Sequence, residues 1–565
     1  MTMRPARRTP AARRAPAAPA ALAALSLAVL APLPARALEV PVAIPTFAEE
    51  TATSGVLSTY DGEWEFMVGG GAAVFDCNAD AYPDLFLAGG ASPAGLYVNT
   101  SARGGPLTFR KAASGAELTG ATGAYPLDID ADGIADLAVL RVGGDVLLRG
   151  QGDCRFAPAN EAWGFDGGDD WSAAFAATWE RGASWPTLAV GTYIDRAQEA
   201  FPWGSCTDNR LYRPDADGTG FAPPVALRPA FCALSMLFTD WNRSGTPSLR
   251  VSNDREYYKG GQEQLWHLEP GQEPRLYTEA EGWKRLRIWG MGIAAQDLTG
   301  DGLPEYFLTS MADNRLQTLR EVPTGAPPRP DYVEIAYQRG VTAHRPYTGD
   351  DLRPSTAWHA EFGDVNNDGL ADLYVVKGNV AKMPDFAEHD PNNLLLQQPD
   401  GTFAEAGDKA GIASPLVGRG GALADFNRDG WLDMVAVNRW QPAQIWRNLG
   451  LGTGDGAGDA AAAAHWVCVR PDGRGPNRDG IGAWIELRSG GRVQSREVTV
   501  GGGHAGGQLG CTHFGLGAAT SAEVRVLWPD GSRGDWQTVA ADGLWAIPPE
   551  GPAVPVPVPA AAAGG

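Results

Sequence analysis

Residues 363–376 read GDVNNDGLADLYVV, and the interpretation of the whole chain starts from this stretch. Side-chain oxygens alternate along it at Asp364, Asn366 and Asp368, and a further carboxylate follows at Asp372. The residues after that carboxylate are apolar or aromatic, which is typical of a buried strand. Carboxylates crowded against the start of such a strand indicate either a bound cation or a loop that is closed by side-chain hydrogen bonds.

The same pattern recurs along the chain, with oxygen side chains at loop positions 1, 3, 5 and 9. A glycine at position 6 permits the sharp turn, and only the first copy departs, with Ala81. A weaker copy runs from Asp240 to Ser248. Five copies keep all four positions: Asp76, Asn78, Asp80 and Asp84; Asp128, Asp130, Asp132 and Asp136; Asp297, Thr299, Asp301 and Glu305; Asp364, Asn366, Asp368 and Asp372; Asp425, Asn427, Asp429 and Asp433.

Calcium prefers six to eight hard oxygen ligands in a flexible cage, and alternate residues of a tight loop can turn their side chains onto one point. One loop alone is equally compatible with a turn that binds no metal. Repetition at matching offsets favours calcium as the cofactor of all five complete loops. An EF-hand is excluded, because position 12 is not glutamate and the segment that follows reads as a strand.

The first positions of the loops are spaced by 52, 112, 57, 67 and 61 residues, so the long interval hides one further repeat. That repeat is FAATWERGASWPTLAVG at 175–191, where Trp179, Arg181 and Ala183 stand at the ligand positions. We expect it to form the usual strands without calcium. Seven repeats of this length, each with about four short strands, predict an all-β fold: a seven-bladed β-propeller and then a small β-domain.

The repeats, over residues 45–450, resemble the FG-GAP/VCBS repeats of the integrin α-subunit propeller. A linker at 451–464 precedes NRDGIGAWIELRSGGRVQSREVTVGGG (477–503) and THFGLGAATSAEVRVLWPDGS (512–532). The segment 465–548 is similar to the ASPIC/UnbV domain. Together the two regions resemble the cartilage acidic protein-like bacterial family. This resemblance implies a calcium-bound propeller, but it assigns no chemistry to the C-terminal module, where we interpret His504 as a loop residue and His513 as a strand-edge residue.

The two ends of the chain have their own compositions. An arginine-rich start, an apolar stretch at about 17–33 and a small-residue site at Ala35–Ala37 predict a signal peptide over residues 1–37. The protein is therefore expected to be secreted, periplasmic or at the cell surface, with no membrane span after cleavage. The tail at 549–565 is rich in Pro, Val, Ala and Gly, and we expect it to be disordered.

The six cysteines fit export and permit three disulfides. None of them lies in a CxxC motif, so a redox or zinc-ribbon site finds no support. The pairs Cys206–Cys232 and Cys468–Cys511 are favoured, because the members of each pair lie within one segment. Spacing alone leaves connectivity open, and free buried thiols remain an alternative.

The balance of 67 acidic against 46 basic residues argues against a nucleic-acid partner. Because no catalytic motif is found, we expect a non-enzymatic binding or adhesion module for an extracellular protein or carbohydrate, or a structural role in surface assembly. The third repeat is the candidate ligand segment, through Trp163, Trp171, Trp179, Trp185 and Trp203. The alternative is an extracellular polysaccharide lyase or hydrolase, for which Tyr257, Tyr258, Lys259, His267 and His359 are conceivable residues.

Overall fold

The computed structural model describes residues 42–198, 205–255, 260–321, 327–452 and 464–563. The expected all-β class is confirmed, since antiparallel sheets dominate these ranges. None of the helices in the described ranges has the length and apolar character that a membrane crossing requires. The predicted signal peptide, most of the predicted linker, Trp203 and the segment Tyr257–Lys259 lie outside the described residues.

The repeat region consists of short strands with two short helices, α1 (Ala336–Arg339) and α2 (Gly407–Ala410). Its strands are β1 (Phe47–Glu49), β2 (Ala72–Phe75), β3 (Asp84–Leu87), β4 (Gly95–Asn99), β5 (Phe109–Lys111), β6 (Ala121–Leu127), β7 (Asp136–Gly143), β8 (Val146–Gly150), β9 (Phe156–Pro158), β10 (Asp170–Thr178), β11 (Thr187–Thr192), β12 (Asn209–Tyr212), β13 (Val225–Leu227), β14 (Ala233–Thr239), β15 (Ser248–Asn253), β16 (Gln264–His267), β17 (Arg275–Leu276), β18 (Gly290–Gln296), β19 (Glu305–Ser310), β20 (Arg315–Leu319), β21 (Tyr332–Glu334), β22 (Ala357–Gly363), β23 (Asp372–Lys377), β24 (Asn393–Gln397), β25 (Phe403–Glu405), β26 (Gly418–Ala424), β27 (Asp433–Asn438) and β28 (Gln444–Asn448).

These strands form successive antiparallel units: β2–β5, β6–β9, β10–β13, β14–β17, β18–β21, β22–β25 and β26–β28. The last unit gains its fourth strand from the start of the chain, because β1 pairs with β28. The second and third units are joined by pairing of β10 with β7. The third unit, which the sequence reveals only through its strand pattern, is present.

The first two strands of every unit pair in the same register, with one residue facing loop position 9. Gly363 pairs with Asp372 in the sixth unit, and Thr178 pairs with Thr187 in the third. The third unit therefore keeps the loop length although it has lost the carboxylates. This shared register confirms the sequence alignment of Thr187 with the position-9 residues.

The first strands of the units lie side by side in chain order, from β2 next to β6 to β22 next to β26, and β26 contacts β2. The apolar cores lie between consecutive units. In one of them Tyr374 and Leu394 of the sixth unit pack with Met434 and Trp446 of the seventh. Each unit is thus stabilised by its neighbours, as expected for a repeat architecture.

The C-terminal module consists of two four-stranded sheets around a core that includes Val467, Ile485, Phe514 and Val526. Its strands are β29 (His465–Pro471), β30 (Trp484–Ser489), β31 (Arg492–Glu497), β32 (Gln508–Leu509), β33 (Thr512–Gly517), β34 (Ser521–Leu527), β35 (Gln537–Ala540), β36 (Gly543–Ile547) and β37 (Val554–Pro555). One of these strands, β32, belongs to neither sheet, because it pairs in parallel with β2 of the first unit.

The segment 500–510, hereafter the glycine loop, leaves the module and runs among the first strands of the units. Its backbone bonds to several units in turn: Gly502 N to Met236 O at 2.7 Å, Gly503 N to Ile293 O at 2.6 Å and Gly507 N to Ala124 O at 3.1 Å. Glycine is required for this approach, since a Cβ on Gly506 would lie 2.0 Å from the Ala72 carbonyl oxygen.

The two histidines of the module, which we interpreted as a loop residue and a strand-edge residue, are fully or nearly fully buried. His504 belongs to the glycine loop, and its Nε2 accepts the Gly69 N–H at 3.1 Å. Burial lowers the pKa of His504 to about 3, so the ring is neutral and can accept this bond. His513 lies on β33, with its Nε2 3.1 Å from the Gly430 carbonyl oxygen. Both therefore hold the module on the repeats.

The expectation of a disordered tail is wrong for residues 549–563. Val554–Pro555 pairs with β36, Tyr82 donates a hydrogen bond to the Pro559 carbonyl at 2.7 Å, and Ala563 N donates to Asp80 Oδ2 at 2.7 Å. A proline-rich chain has no core of its own, but its extended backbone can bond to a surface that is already folded.

Three disulfides link the six cysteines. The predicted pairs Cys206–Cys232 and Cys468–Cys511 are confirmed, and the third pair joins Cys77 to Cys154. That third bond connects the first loop with the second unit, so the alternative of free thiols is wrong.

Candidate metal centres

The loops that carry the predicted ligands lie at one end of the repeats, because each connects the first strand of its unit to the second. Position 6 takes the left-handed conformation in each, with φ of 84° at Gly369 and 71° at Ala81. Position 4 does so too, with φ of 58° at Asn367 and 56° at Arg428. The glycines of the sequence predicted the left-handed residue at position 6. Nothing in the sequence indicated the left-handed residue at position 4.

Ala81 is the one non-glycine residue at position 6, and its Cβ is strained there. We expect Ala81→Gly to raise the free energy of unfolding by about 0.5–1 kcal/mol, since a left-handed L-residue costs about 1–2 kcal/mol and glycine's extra unfolded-state entropy offsets part of the gain. The matched control is Gly245→Ala, whose φ is 77° and whose nearest neighbour is Arg181 Nη2 at 3.5 Å. Urea unfolding measures the free energy of unfolding of both variants. A lower value for Ala81→Gly than for the unaltered protein would contradict backbone strain at Ala81.

In the sixth loop, backbone N–H groups bring the four predicted ligands together. Asp364 accepts the N–H groups of Asp368 at 3.1 Å and Gly369 at 2.7 Å, and Asn366 Oδ1 accepts the Asp368 N–H at 3.2 Å. Asp372 accepts the Val365 N–H at 3.0 Å through Oδ2. Each of these oxygens keeps a further lone pair, so the hydrogen bonds orient the cluster without saturating it.

The seventh and first loops repeat this arrangement. Asp425 accepts the N–H groups of Asp429 at 3.0 Å and Gly430 at 2.9 Å, and Asp433 accepts the Phe426 N–H at 3.0 Å. In the first loop Asp76 accepts the N–H groups of Asp80 and Ala81, and Asn78 Oδ1 also accepts the Asp80 N–H. Asp84 accepts the Cys77 N–H. Asn427 Oδ1 likewise accepts the Asp429 N–H at 3.2 Å.

The second loop gives the clearest geometric sign of a cation site. Single oxygens of Asp128, Asp130 and Asp136 all lie within 4.8 Å of one another. Asp128 Oδ1 is buried and has no hydrogen-bond partner among the described residues. A buried oxygen without a donor is costly, and a metal ion is one means of satisfying it.

The fifth loop assembles three of its four predicted ligands. Asp297 accepts the N–H groups of Gly300 at 2.7 Å and Gly302 at 2.9 Å, and Glu305 accepts the Leu298 N–H at 2.7 Å. Asp301 accepts the Leu303 N–H at 2.8 Å, whereas Thr299 is exposed.

Burial in this crowded setting disfavours the charged form of the carboxylates. It raises the pKa of Asp364 to about 8 and that of Asp425 to about 7, and it raises the pKa of Asp372 and Asp433 well above the usual range. Neighbouring carboxylates add to the effect on Asp364, Asp372 and Asp433. Hard oxygen donors that repel one another in a buried loop fit a divalent cation such as calcium.

Arginines from other segments of the chain lie against the second and first loops, which the loop pattern could not indicate. Arg149, on β8, places Nε 2.6 Å from Asp130 Oδ2 and Nη2 3.0 Å from Asp132 Oδ2. Arg428, at position 4 of the seventh loop, donates to the Ala81 carbonyl of the first loop. The charge of these two loops is therefore partly balanced by the protein itself.

The third and fourth loops lack a complete ligand set. In the third, Glu180 pairs with Arg213 at 2.5 Å and bonds Thr187 at 3.0 Å, so an ion pair stands where other loops have a carboxylate cluster. In the fourth, Asp240 accepts the Ser244 and Gly245 N–H groups, each at 2.8 Å.

The C-terminal module lies directly on this end of the repeats. Arg492 donates to the Asp368 carbonyl at 3.0 Å, Gly517 N donates to the Asn367 carbonyl at 2.9 Å, and Glu497 accepts the Asp240 N–H at 2.7 Å. Arg243 of the fourth loop pairs with Glu486 at 2.8 Å. The geometry of the loops therefore fixes the surface on which the module sits.

Comparison with known protein families now assigns both regions. A family model described as FG-GAP-like repeat matches residues 76–139, and one described as ASPIC and UnbV matches residues 473–553. The two matches, FG-GAP-like repeat followed by ASPIC and UnbV, form an architecture similar to that of cartilage acidic protein. Cartilage acidic protein 1 of Homo sapiens is 47% identical over 63 residues, 11% of this chain and 10% of that protein, and the Mus musculus protein is 45% identical over 63 residues. The match thus spans about a tenth of the length of these curated relatives.

Two solved structures show remote similarity. BBS1N, crystallised in complex with ARL6DN and soaked with mercury, is 11% identical, covers 72% of this chain and 98% of its own and has a TM-score of 0.39. A mutant of AofleA from Arthrobotrys oligospora is 11% identical, covers 64% of this chain and 88% of its own and has a TM-score of 0.34. Scores this low do not bear on fold or function.

Of the residues considered for catalysis, the two that lie within the described ranges, His267 and His359, are not brought together. His267 pairs with Glu281 at 3.0 Å and stacks on Tyr277, whereas His359 is buried beside Glu361 and accepts the His504 N–H at 3.2 Å. The two histidines thus belong to different units and have separate partners.

The tryptophans of the third repeat do not form the exposed stacking platform that the sequence suggested. Trp163, Trp171, Trp179 and Trp185 are all buried. Trp163 and Trp185 pack edge to face at 5.5 Å within an apolar core. All four rings are therefore core residues, and Trp179 also lines a cavity.

Proposed function

We propose that the chain is an exported, non-enzymatic binding module built on a calcium-stabilised, seven-bladed β-propeller. The order of the units, the pairing of β1 with β28 and the contact of β26 with β2 support a closed ring of seven blades. The observation that carries the proposal is the repeated loop, whose carboxylates accept backbone N–H groups in five units at the end covered by the module. In the second of these loops three carboxylate oxygens lie within 4.8 Å of one another.

Calcium would be held by the side-chain oxygens at positions 1, 3, 5 and 9, and it would supply the positive charge that the buried carboxylates lack. The residues themselves shape each loop through their bonds to backbone N–H groups. Ordered loops then present the surface that the module contacts. We infer that metal binding, blade folding and module docking are coupled.

The opposite end of the propeller is the proposed partner-binding face, since the loop end is covered. Exposed aromatic residues lie there: Trp64 is 40% exposed and Trp440 is 44% exposed. Arg439 stacks on Trp440 at 3.9 Å and donates to the Glu63 carbonyl at 2.8 Å, which brings the two tryptophans into one patch. Exposed aromatics beside a cation are typical of protein and carbohydrate interfaces.

An array of secreted proteins and extracellular polysaccharides, probed in millimolar calcium, tests this function. We expect a specific signal that falls at least about tenfold in the Trp64→Ala, Trp440→Ala double variant, since interface aromatics commonly contribute 2 kcal/mol or more. Val493→Ala, which removes an exposed apolar side chain from the module, is the control. A signal unchanged in the double variant would contradict a binding site on this face.

A further inference from the structure

A cavity of about 270 Å³ lies between the third and fourth units and the C-terminal module, hereafter the tryptophan cleft. Its walls include Trp179 of the third loop, Trp484 of β30 and Trp528, which follows β34. All three side chains are more than nine-tenths buried, with 7%, 3% and 8% of their surface exposed. The cleft thus lies beside the loop in which the calcium ligands have been lost.

Arginine side chains outnumber carboxylates among the residues that line the cleft. Arg181 and Arg533 line it, are exposed at the rim and form no ion pair with a described residue. Arg243 lies deeper, where it pairs with Glu486 at 2.8 Å and places its guanidinium 4.0 Å from the Trp484 ring centre, so the unpaired positive charge is that of the two rim arginines. The lining carboxylates are already engaged, as Glu180 pairs with Arg213 and Asp240 accepts two backbone N–H groups. This is a cationic recess in a chain of net charge -21.

The donors of the cleft also lack acceptors. The indole Nε1 atoms of Trp179, Trp484 and Trp528 and Nη2 of Arg243 are buried and have no hydrogen-bond partner among the described residues. Nearly all buried donors in folded proteins are paired, and an unpaired one costs about 1–3 kcal/mol. These four donors belong to side chains that line one cavity, so a bound group that carries acceptor oxygens is one means of satisfying them.

The third loop has a different sequence at the ligand positions, although its flanking strands keep the register of the other units. Thr178 pairs with Thr187 as Gly363 pairs with Asp372. Trp179 therefore occupies position 1 and Arg181 occupies position 3, where other units carry carboxylate or amide ligands. A loop that elsewhere gathers oxygens around a cation here presents an aromatic ring and a guanidinium.

We propose that the tryptophan cleft binds the acidic sugar residue of a saccharide, held through its carboxylate or sulfate; this rests on the proposed binding function. Ring faces of the tryptophans match the C–H faces of a sugar, indole and guanidinium N–H groups match its oxygens, and the rim arginines match its negative charge. The cavity of about 270 Å³ lies just below the range of about 300–1,000 Å³ for small-molecule sites, a size that suits the single acidic sugar residue.

The test titrates the full chain in millimolar calcium, by calorimetry or ligand-observed NMR, with a disaccharide of glucuronic acid and N-acetylglucosamine and with a sulfated disaccharide. N,N′-diacetylchitobiose is the neutral control, and a short polyglutamate peptide reports on charge alone. We expect a Kd of about 0.1–1 mM for an acidic disaccharide, weakened by salt, and at least tenfold weaker binding of both controls. Equal binding of the neutral sugar or the peptide would overturn the proposal, as would no binding of the acidic disaccharides.

Two single variants test whether the acidic disaccharide binds in the tryptophan cleft. Arg181→Gln is expected to weaken binding of the acidic disaccharide at least about fivefold without lowering the unfolding midpoint, because Arg181 is exposed. Trp179→Phe keeps an aromatic ring, removes the N–H and is expected to weaken binding about three- to tenfold. The matched control is Arg474→Gln. Arg474 is also an exposed arginine, and it forms an exposed ion pair with Glu550. If the Trp64, Trp440 variant abolishes sugar binding and Arg181→Gln does not, the binding function stands and the cleft is not its site.

Discussion

Excess EDTA is expected to lower the midpoint of thermal unfolding by more than about 10 °C relative to protein in millimolar calcium. Each occupied site stabilises the folded chain by about 2.7 kcal/mol at a hundredfold excess over its Kd, and several sites act on one cooperative unit. For domains of 150–250 residues, 1 kcal/mol corresponds to about 2–4 °C. Overlapping unfolding curves would show that the loops are closed by hydrogen bonds alone.

A single-loop variant is the control for this calcium effect. Asp364→Asn with Asp372→Asn removes two charges from the sixth loop while keeping the shape of both side chains. We expect this variant to bind one ion fewer and to show a smaller calcium-dependent shift in the midpoint. Ala183→Ser, in the loop that has lost its ligands, should leave the shift unchanged.

Gly506→Ala is expected to destabilise the chain by about 2–4 kcal/mol, because the new Cβ would lie 2.0 Å from the Ala72 carbonyl oxygen. The backbone on both sides is held by neighbouring strands, so the clash displaces the glycine loop from the repeats. We expect the module to become accessible to protease at the segment 451–464, detected by limited proteolysis together with thermal unfolding.

Gly510→Ala provides a matched control in the same segment. A Cβ at Gly510 would meet no atom within 4 Å, so the change should alter stability by less than about 0.5 kcal/mol. Equal stability and equal proteolysis of the two variants would contradict the close approach of the glycine loop to the first unit.

The parts of the fold that the sequence predicted depend on local, repeated patterns. The side chains of Asp364, Asn366, Asp368 and Asp372 converge because they share donors within a nine-residue loop, so spacing alone located them. The third unit was predictable for the same reason: its strands keep the register although Trp179, Arg181 and Ala183 stand at the ligand positions.

The parts that the sequence missed depend on contacts between distant segments. The run of glycines at 501–507 was visible, but nothing in its spacing showed that it inserts among the first strands of several units. The tail from Pro559 to Ala563 bonds to the first loop through its backbone, which leaves no trace in side-chain pattern. Aromatic composition does not distinguish a core from a surface, so the tryptophans of the third repeat could be core residues or a ligand segment, and the structure buries the four that it describes.

The metal content of the full chain tests the central claim most directly. Elemental analysis after dialysis against about 10 μM calcium, with protein concentration from amino-acid analysis, is expected to give about five calcium ions per chain, one for each complete loop. The Asp364→Asn, Asp372→Asn variant is expected to give about four. Less than one ion per chain in the unaltered protein would contradict a calcium-stabilised propeller.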